Sequence, residues 1–253
     1  MRRVWLMLGL VCLPSLVGAR VDTLRDTSEV YDAIIYGWRD CNSEITGENC
    51  LRYNGGAVAH MGVGKTAEDR ESRVVFRLEG YGDSLPDSSE FLVYCHVEAD
   101  TADRRVFLYP LLRQFFEGSE NNYNLGDYPQ PDSGVTWEHA YLDDGDRDSV
   151  CWSNPGGDYD SAYVCTTRVT GEGQWFVFKG FNRILNYWDS TGEAYGFILV
   201  NENAEPETTS RKTIKSSETG TMYAPMLLMY FADPPAFTSR RRRLIEEELC
   251  SSY

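Results

Sequence analysis

Apolar side chains recur at every second position along most of this chain and, in one segment, at every third and fourth. Residues 30–36 (VYDAIIY), 57–63, 72–78 (SRVVFRL), 90–98 (EFLVYCHVE), 105–112 (RVFLYPLL) and 162–169 read as strands bounded by Gly, Pro, Asn and Asp. In 90–98, Phe91, Val93, Cys95 and Val97 alternate with Leu92, Tyr94 and His96, so one face is apolar and the other partly aromatic. Pro110 has no backbone N–H to give a ladder, which places the 105–112 strand at an edge or puts Pro110 at its end. The organising stretch is 174–200 (QWFVFKGFNRILNYWDSTGEAYGFILV). It predicts a strand over 175–178, a helix over 181–188 with Phe181, Ile184, Leu185 and Trp188 on one stripe, a turn at Gly192 and a strand over 197–200. Both Trp175 and Trp188 are assigned to the core. Residues 213–216 and 222–231 supply the last strands. About ten strands at this spacing with a single helix predict an all-β fold, a jelly-roll-type two-sheet β-sandwich with one short helix, over residues 20–233.

Residues 117–160 break the pattern. They are rich in Gly, Asn, Asp, Pro, Ser and Tyr, interrupted by Val135-Thr136-Trp137, and read as a long loop region of the kind that carries function. The two ends of the chain also stand apart. Met1-Arg2-Arg3, the apolar run 4–17 and the small residues Val17-Gly18-Ala19 read as a secretory signal peptide over 1–19. The run is shorter than the ~20 residues a membrane span needs. Residues 234–253 read as a flexible tail with four consecutive arginines, Arg240 to Arg243, which a proprotein convertase would cut if the source is a eukaryote.

Composition narrows the partners. With 39 acidic and 24 basic residues the net charge is −15, which argues against nucleic acid and against an anionic membrane surface. Six cysteines remain once Cys12 leaves with the signal. Cys41 with Cys50 and Cys151 with Cys165 are close in sequence and bracket polar loops, so both are expected as disulfides. Cys95, on the apolar face of its strand, reads as a buried thiol. Cys250 is left open, as a free thiol, a link to a second chain or a link to Cys95. No Asn-x-Ser/Thr sequon is present.

Candidate chemistry is sparse. Ala59 to Thr66 fits a relaxed phosphate-loop pattern, but a charged stretch and a strand follow where the mechanism needs a helix. Asp144, Asp146 and Asp148 alternate as the carboxylates of calcium loops do, and with Asp158 and Asp160 form a candidate structural calcium site. His60 and His96 fall in strands and read as structural, whereas His139 follows Trp137 in the loop region. No nucleophile elbow or zinc-protease helix motif is present, so the chain is not expected to be an enzyme. Sugar recognition needs aromatic faces beside polar groups. Trp38, Tyr53, Trp137, Trp152, Tyr159 and Tyr163 lie in or beside loops and are the candidate carbohydrate-binding residues.

The order of these signals resembles the DNRLRE-type domain grouped with carbohydrate-binding module family 96. The matching stretches are Tyr31-Asp32-Ala33-Ile34-Ile35, Met61-Gly62-Val63-Gly64 followed by Arg73 to Leu78, and Val135-Thr136-Trp137. They continue with Trp152 and Gly156-Gly157-Asp158, the strand and helix from Val177 to Trp188, and Gly196-Phe197-Ile198-Leu199. Ser216-Ser217-Glu218 and the strand from Pro225 to Tyr230 complete them. Lys179-Gly180-Phe181 stands where the family has Asp-Val-Thr, and the cysteine-closed loop is additional. The resemblance covers residues 21–231 and implies a secreted, non-catalytic module that binds a glycan or cell-wall polysaccharide. A second reading is a structural or protein-binding extracellular domain similar to growth-factor propeptides, which share the Trp-bearing helix and the Arg-rich site. A polysaccharide-degrading enzyme is third.

Overall fold

The alternation of the sequence becomes a predominantly β structure, with one α-helix among the described residues, built around a curled antiparallel sheet. The computed structural model describes residues 20–25, 28–37, 54–66, 70–81, 84–98, 100, 102–118, 134–142, 149–202 and 209–232. The expected signal peptide, the Cys41 to Cys50 loop, Asp144, Asp146, Asp148 and the Arg-rich tail lie outside these residues. Among the described residues no helix is long and apolar enough to cross a membrane.

The strands are β1 (Arg20–Leu24), β2 (Val30–Tyr36), β3 (Asn54–Gly55), β4 (His60–Lys65), β5 (Glu71–Leu78), β6 (Ser88–Glu98) and β7 (Arg104–Pro110). They continue as β8 (His139–Tyr141), β9 (Val150–Cys151), β10 (Cys165–Val169), β11 (Gln174–Lys179), β12 (Phe197–Asn201), β13 (Lys212–Lys215) and β14 (Met226–Phe231). The long β6 anchors one region of the sheet. One of its edges takes β14 and then β13 in succession, and β11 pairs with it from Glu90 to Cys95. In the other region β5 lies between β2 and β12, and β7 joins β12 to β10. β4 connects the regions: it pairs with β13 along four residues but with β5 only at Gly64 and Lys65, and the sheet turns there. Pro110 ends β7 opposite Phe197, where its missing N–H breaks no ladder.

Inside the curl lies the main core. Phe76, Phe91, Phe178, Phe181, Trp188 and Phe197 are fully or almost fully buried there. Phe76 and Phe181 lie 5.3 and 5.1 Å, centroid to centroid, from Phe197, with Phe91 edge-on to Phe197 at 4.7 Å. Helix α1 (Asn182–Thr191) places Ile184, Leu185 and Trp188 on this core. Its C-terminal cap is Gly192, at φ 70°, whose N–H donates to the Trp188 carbonyl at 2.8 Å. A β-branched residue there would be strained.

A second, smaller core sits on the opposite side of β2, β5 and β12. Ala33, Ile35, Val75 and Ile198 project onto that face and are covered by Leu111, Phe115, Val135, Trp137, Ala140 and Trp152. The loop region expected to be irregular therefore supplies a packed layer, held by the short β8–β9 pair. The stretch Ala59 to Thr66 is mostly β4, and Thr66 N–H donates to the Arg70 carbonyl in a turn leading to β5. Cys95 is buried in β6, as its pattern predicts.

Candidate functional site

On the outer face of the curled sheet, strand alternation leaves a group of aromatic rings uncovered. In β11, Phe176 and Phe178 point into the core, so Trp175 and Val177 point away from it. Trp175 is therefore half-buried on the outer face, a correction to its expected place in the core; the strand period had already separated it from Phe176. Across the ladder Trp175 opposes Tyr94 of β6, whose neighbours Phe91, Val93 and Cys95 are the inward set. The Tyr94 and Trp175 rings meet edge to face at 5.5 Å. Tyr223, from the turn before β14, approaches Tyr94 at 4.5 Å and is 36% exposed. The Arg25 guanidinium lies 5.8 Å from the Trp175 ring centre and donates to the Met222 carbonyl at 2.6 Å.

The loop aromatics behave differently. Trp137 and Trp152 are only 9% and 5% exposed and belong to the second core, so they are not available to stack on a ligand. Trp152 Nε1 donates to the Thr136 carbonyl at 2.9 Å, and Arg73 spans Trp137 and Tyr159, at 4.8 and 5.8 Å. They are hydrophobic because they roof an apolar sheet face. Tyr159 is half-buried and stacked on Tyr109 at 4.8 Å, with Phe107 next along at 5.9 Å. Tyr163 is 40% exposed and leans on Tyr187 of the helix at 4.6 Å. It remains accessible, with no guanidinium over its ring among the described residues, whereas Arg25 lies beside Trp175. Trp38 and Tyr53 lie outside the described residues.

The predicted cysteine and calcium pairings also change. No disulfide joins Cys151 and Cys165: Cys151 is exposed on the short β9, whereas Cys165 is buried at the start of β10 with its thiol against the Gly180 carbonyl at 3.4 Å. Burial pushes the Cys165 thiol up to about 11, so it is an inert thiol at neutral pH. Asp158 is buried and closes its own loop, accepting from the N–H groups of Ser153 and Asn154 at 2.7 and 2.8 Å. Burial alone raises its pKa, but those two N–H donors and Arg113 outweigh it and hold the carboxyl below its usual range. Asp160 likewise accepts from the Ala162 N–H at 2.9 Å. Both are turn carboxylates.

A different carboxylate group forms elsewhere. Asp32 of β2 is wholly buried, and one oxygen from each of Asp32, Glu117 and Glu218 lies within 4.8 Å of the others. The pairing with β3 covers only Ile34 and Ile35 of β2, so the Asp32 N–H is left to donate to Glu117 Oε1 at 2.6 Å. Ser217, in the 3₁₀ turn Ser217–Thr219, donates its N–H to Asp32 Oδ2 at 2.8 Å. Desolvation, and then the neighbouring Glu218, push Asp32 well above the usual carboxylate range. Desolvation raises Glu117 to about 7, partly opposed by the Asp32 N–H and Arg77. No local pattern announces this group, because its members lie 85 and 101 residues apart along the chain.

The sign of the resulting pH dependence is fixed. Glu117 takes up a proton more readily folded, at about 7, than unfolded, near 4.5, so its contribution is full below 4.5 and is lost as pH rises through 7. In metal-free buffer the melting temperature is expected to fall across that window, and Glu117→Gln to flatten the fall. A wild-type profile that stays level from pH 4.5 to 7.5 would contradict it.

Among histidines, His60 of β4 and His96 of β6 stack at 4.7 Å, with Lys215 of the intervening β13 against His60 Nε2. Burial, then Lys215 and His96, lower the His60 pKa, which keeps it neutral and structural. His139 Nδ1 lies 3.3 Å from Thr136 Oγ1, a loop contact. A comparison of the sequence with models of known protein families finds no match, and a comparison with curated proteins finds none.

Proposed function

We propose that this chain is a secreted, non-catalytic module that binds an extracellular glycan, and that its curled sheet is a jelly-roll-type two-sheet sandwich. The observation that carries the reading is the outer-face group of Trp175, Tyr94 and Tyr223 with Arg25 beside it. A ring held half out of a regular strand offers an apolar face at little entropic cost, which suits the C–H face of a sugar ring. Arg25 supplies planar donors for sugar hydroxyls. The net charge of −15 disfavours a polyanionic chain, so the substrate class is a neutral polysaccharide. Residues 1–19 support the extracellular setting.

A protein partner is the second reading, favoured by one observation. Met222 is 69% exposed beside Tyr223, and Trp, Tyr, Met and Arg together are the composition of protein interface centres.

The test is retention of the mature protein on insoluble neutral polysaccharides, competed by soluble glycans. Trp175→Ala and Tyr223→Ala are each expected to weaken binding about 2- to 12-fold, the ~0.5–1.5 kcal/mol of one aromatic contact. If Tyr163→Ala abolishes retention while Trp175→Ala leaves it intact, the site belongs to the loops. If no glycan retains the protein and Trp175→Ala instead abolishes capture of a defined protein, the second reading replaces the first.

A further inference from the structure

We propose that Asp32, Glu117 and Glu218 form a binding site for a single hard divalent cation, best suited to Ca²⁺, that ties the turn at Ser217–Thr219 to strand β2. The site is made of residues other than Asp144, Asp146 and Asp148 and does not depend on what the aromatic face binds.

Three independent elements deliver the ligands: the middle of β2, the segment after β7 and the turn between β13 and β14. One oxygen from each lies within 4.8 Å of the other two. Two oxygens bound to the same Ca²⁺ at ~2.3–2.6 Å are separated by no more than about 5 Å, so all three fit around one ion. Hard cations take carboxylate oxygens and complete their shell with water. Here Glu218 is exposed, which leaves an open side through which water and the ion enter.

Proximity of acids alone would not be enough, and a second observation points to a ligand. Asp32 is 0% exposed, and its Oδ1 accepts no hydrogen bond among the described residues. Buried polar atoms are nearly always paired, and a buried carboxylate oxygen left over beside two more carboxyl groups lacks a positive partner. The backbone has already been used to aim the group: Oδ2 is fixed by the Ser217 N–H and Glu117 Oε1 by the Asp32 N–H. Ser217 Oγ donates to Glu218 Oε1 at 3.1 Å and holds the third carboxylate toward the others. Arg77, whose positive charge reaches Glu117, is engaged with Glu79 at 3.0 Å and with the Phe115 carbonyl at 3.2 Å. A cation at the centre would neutralise the repulsion that otherwise forces protons onto this group.

The experiment uses the mature chain stripped with a chelator and dialysed into metal-free buffer at pH 7.5. CaCl₂ and, separately, MgCl₂ are titrated while melting temperature and calorimetric heat are read. Ca²⁺ is expected to bind with a stoichiometry of one and to raise the folding equilibrium constant about 100-fold at a concentration of 100 times its Kd. Glu218→Gln, a change at an exposed position that leaves the fold intact, is expected to weaken Ca²⁺ binding at least tenfold. Asp32→Asn is expected to abolish it while raising the metal-free melting temperature at pH 7.5. The combined change of Asp144, Asp146 and Asp148 to Asn is expected to leave binding at this site unaltered. The proposal is overturned if Ca²⁺ gives no heat and no thermal shift, in which case the carboxyls share protons instead. It is also overturned if Glu218→Gln binds Ca²⁺ as the wild type does, or if the triple variant loses all binding. Glycan retention by the metal-free protein reports on the aromatic face separately.

Discussion

Replacing Trp188 by Ala is expected to lower the unfolding free energy by about 3–5 kcal/mol, the range for deleting a large buried aromatic side chain. Trp188 is 2% exposed and is the largest of the buried side chains that helix α1 places on the core. Its ring lies 5.6 Å from Tyr81, 6.0 Å from Phe181 and 6.3 Å from Phe197. Regular strands above and below cannot collapse into the space, so most of the cavity cost should remain. Trp188 Nε1 is buried with no hydrogen-bond partner among the described residues, so its N–H contributes nothing that a hydrocarbon ring would lack. Trp188→Phe is accordingly expected to lose much less than Trp188→Ala. Urea unfolding with an unchanged m value checks both. Equal losses in the two variants would mean that the indole N–H, rather than ring volume, is what matters.

Gly196→Ala should be nearly as damaging although it adds one carbon atom. Gly196 has φ 109°, and a Cβ built there would come within 2.2 Å of the Phe76 carbonyl oxygen and 3.2 Å of Phe115. The first obstacle is backbone and cannot rotate away. Alanine would pay about 1–3 kcal/mol for its φ and would in addition push β12 off β5, where Phe197, Ile198 and Leu199 pair with Phe76, Val75 and Val74. A total loss above ~3 kcal/mol is expected. Gly180 makes the comparison clean, since its φ is 74° but a Cβ there meets nothing within 4 Å. Gly180→Ala is expected to cost about 1–2 kcal/mol, the backbone part alone. If the two variants unfold at the same urea concentration, the close approach at Gly196 is not restrictive.

Much of the fold was legible in the sequence, and the misreadings share one cause. The pattern of residues 72–78 and 174–200 predicts β5, β11, α1 and β12 within a residue or three of their ends, because side-chain period is a local property. Phe91, Val93 and Cys95 fall on the inward face as their alternation requires. The same alternation in residues 175–178 distinguishes Trp175 from Phe176, yet the size and hydrophobicity of a Trp outweighed it. Trp137 and Trp152 failed in the opposite direction: a polar, Gly-rich neighbourhood marks a loop but does not say whether the loop lies on water or on an apolar sheet. The Cys151–Cys165 pairing rested on closeness in sequence and the polar loop between them, while one thiol faces solvent and the other the interior.

The sequence by itself therefore determined β2, β4 to β7 and β10 to β14, the helix, its glycine cap and which side chains of each strand share a face, since these follow from neighbours two to four positions apart, whereas the short β3, β8 and β9 and the edge strand β1 were not legible in it. Only the tertiary structure decided which faces are covered twice. That choice depends on distant segments landing on a sheet, as residues 134–142 land on β2, β5 and β12 while the Trp175 face of β11 and β6 stays open. It also decided that Asp32 would meet Glu117 and Glu218, because a β2 edge only partly paired by β3 leaves an N–H and a carboxylate to be satisfied by whatever the fold brings there.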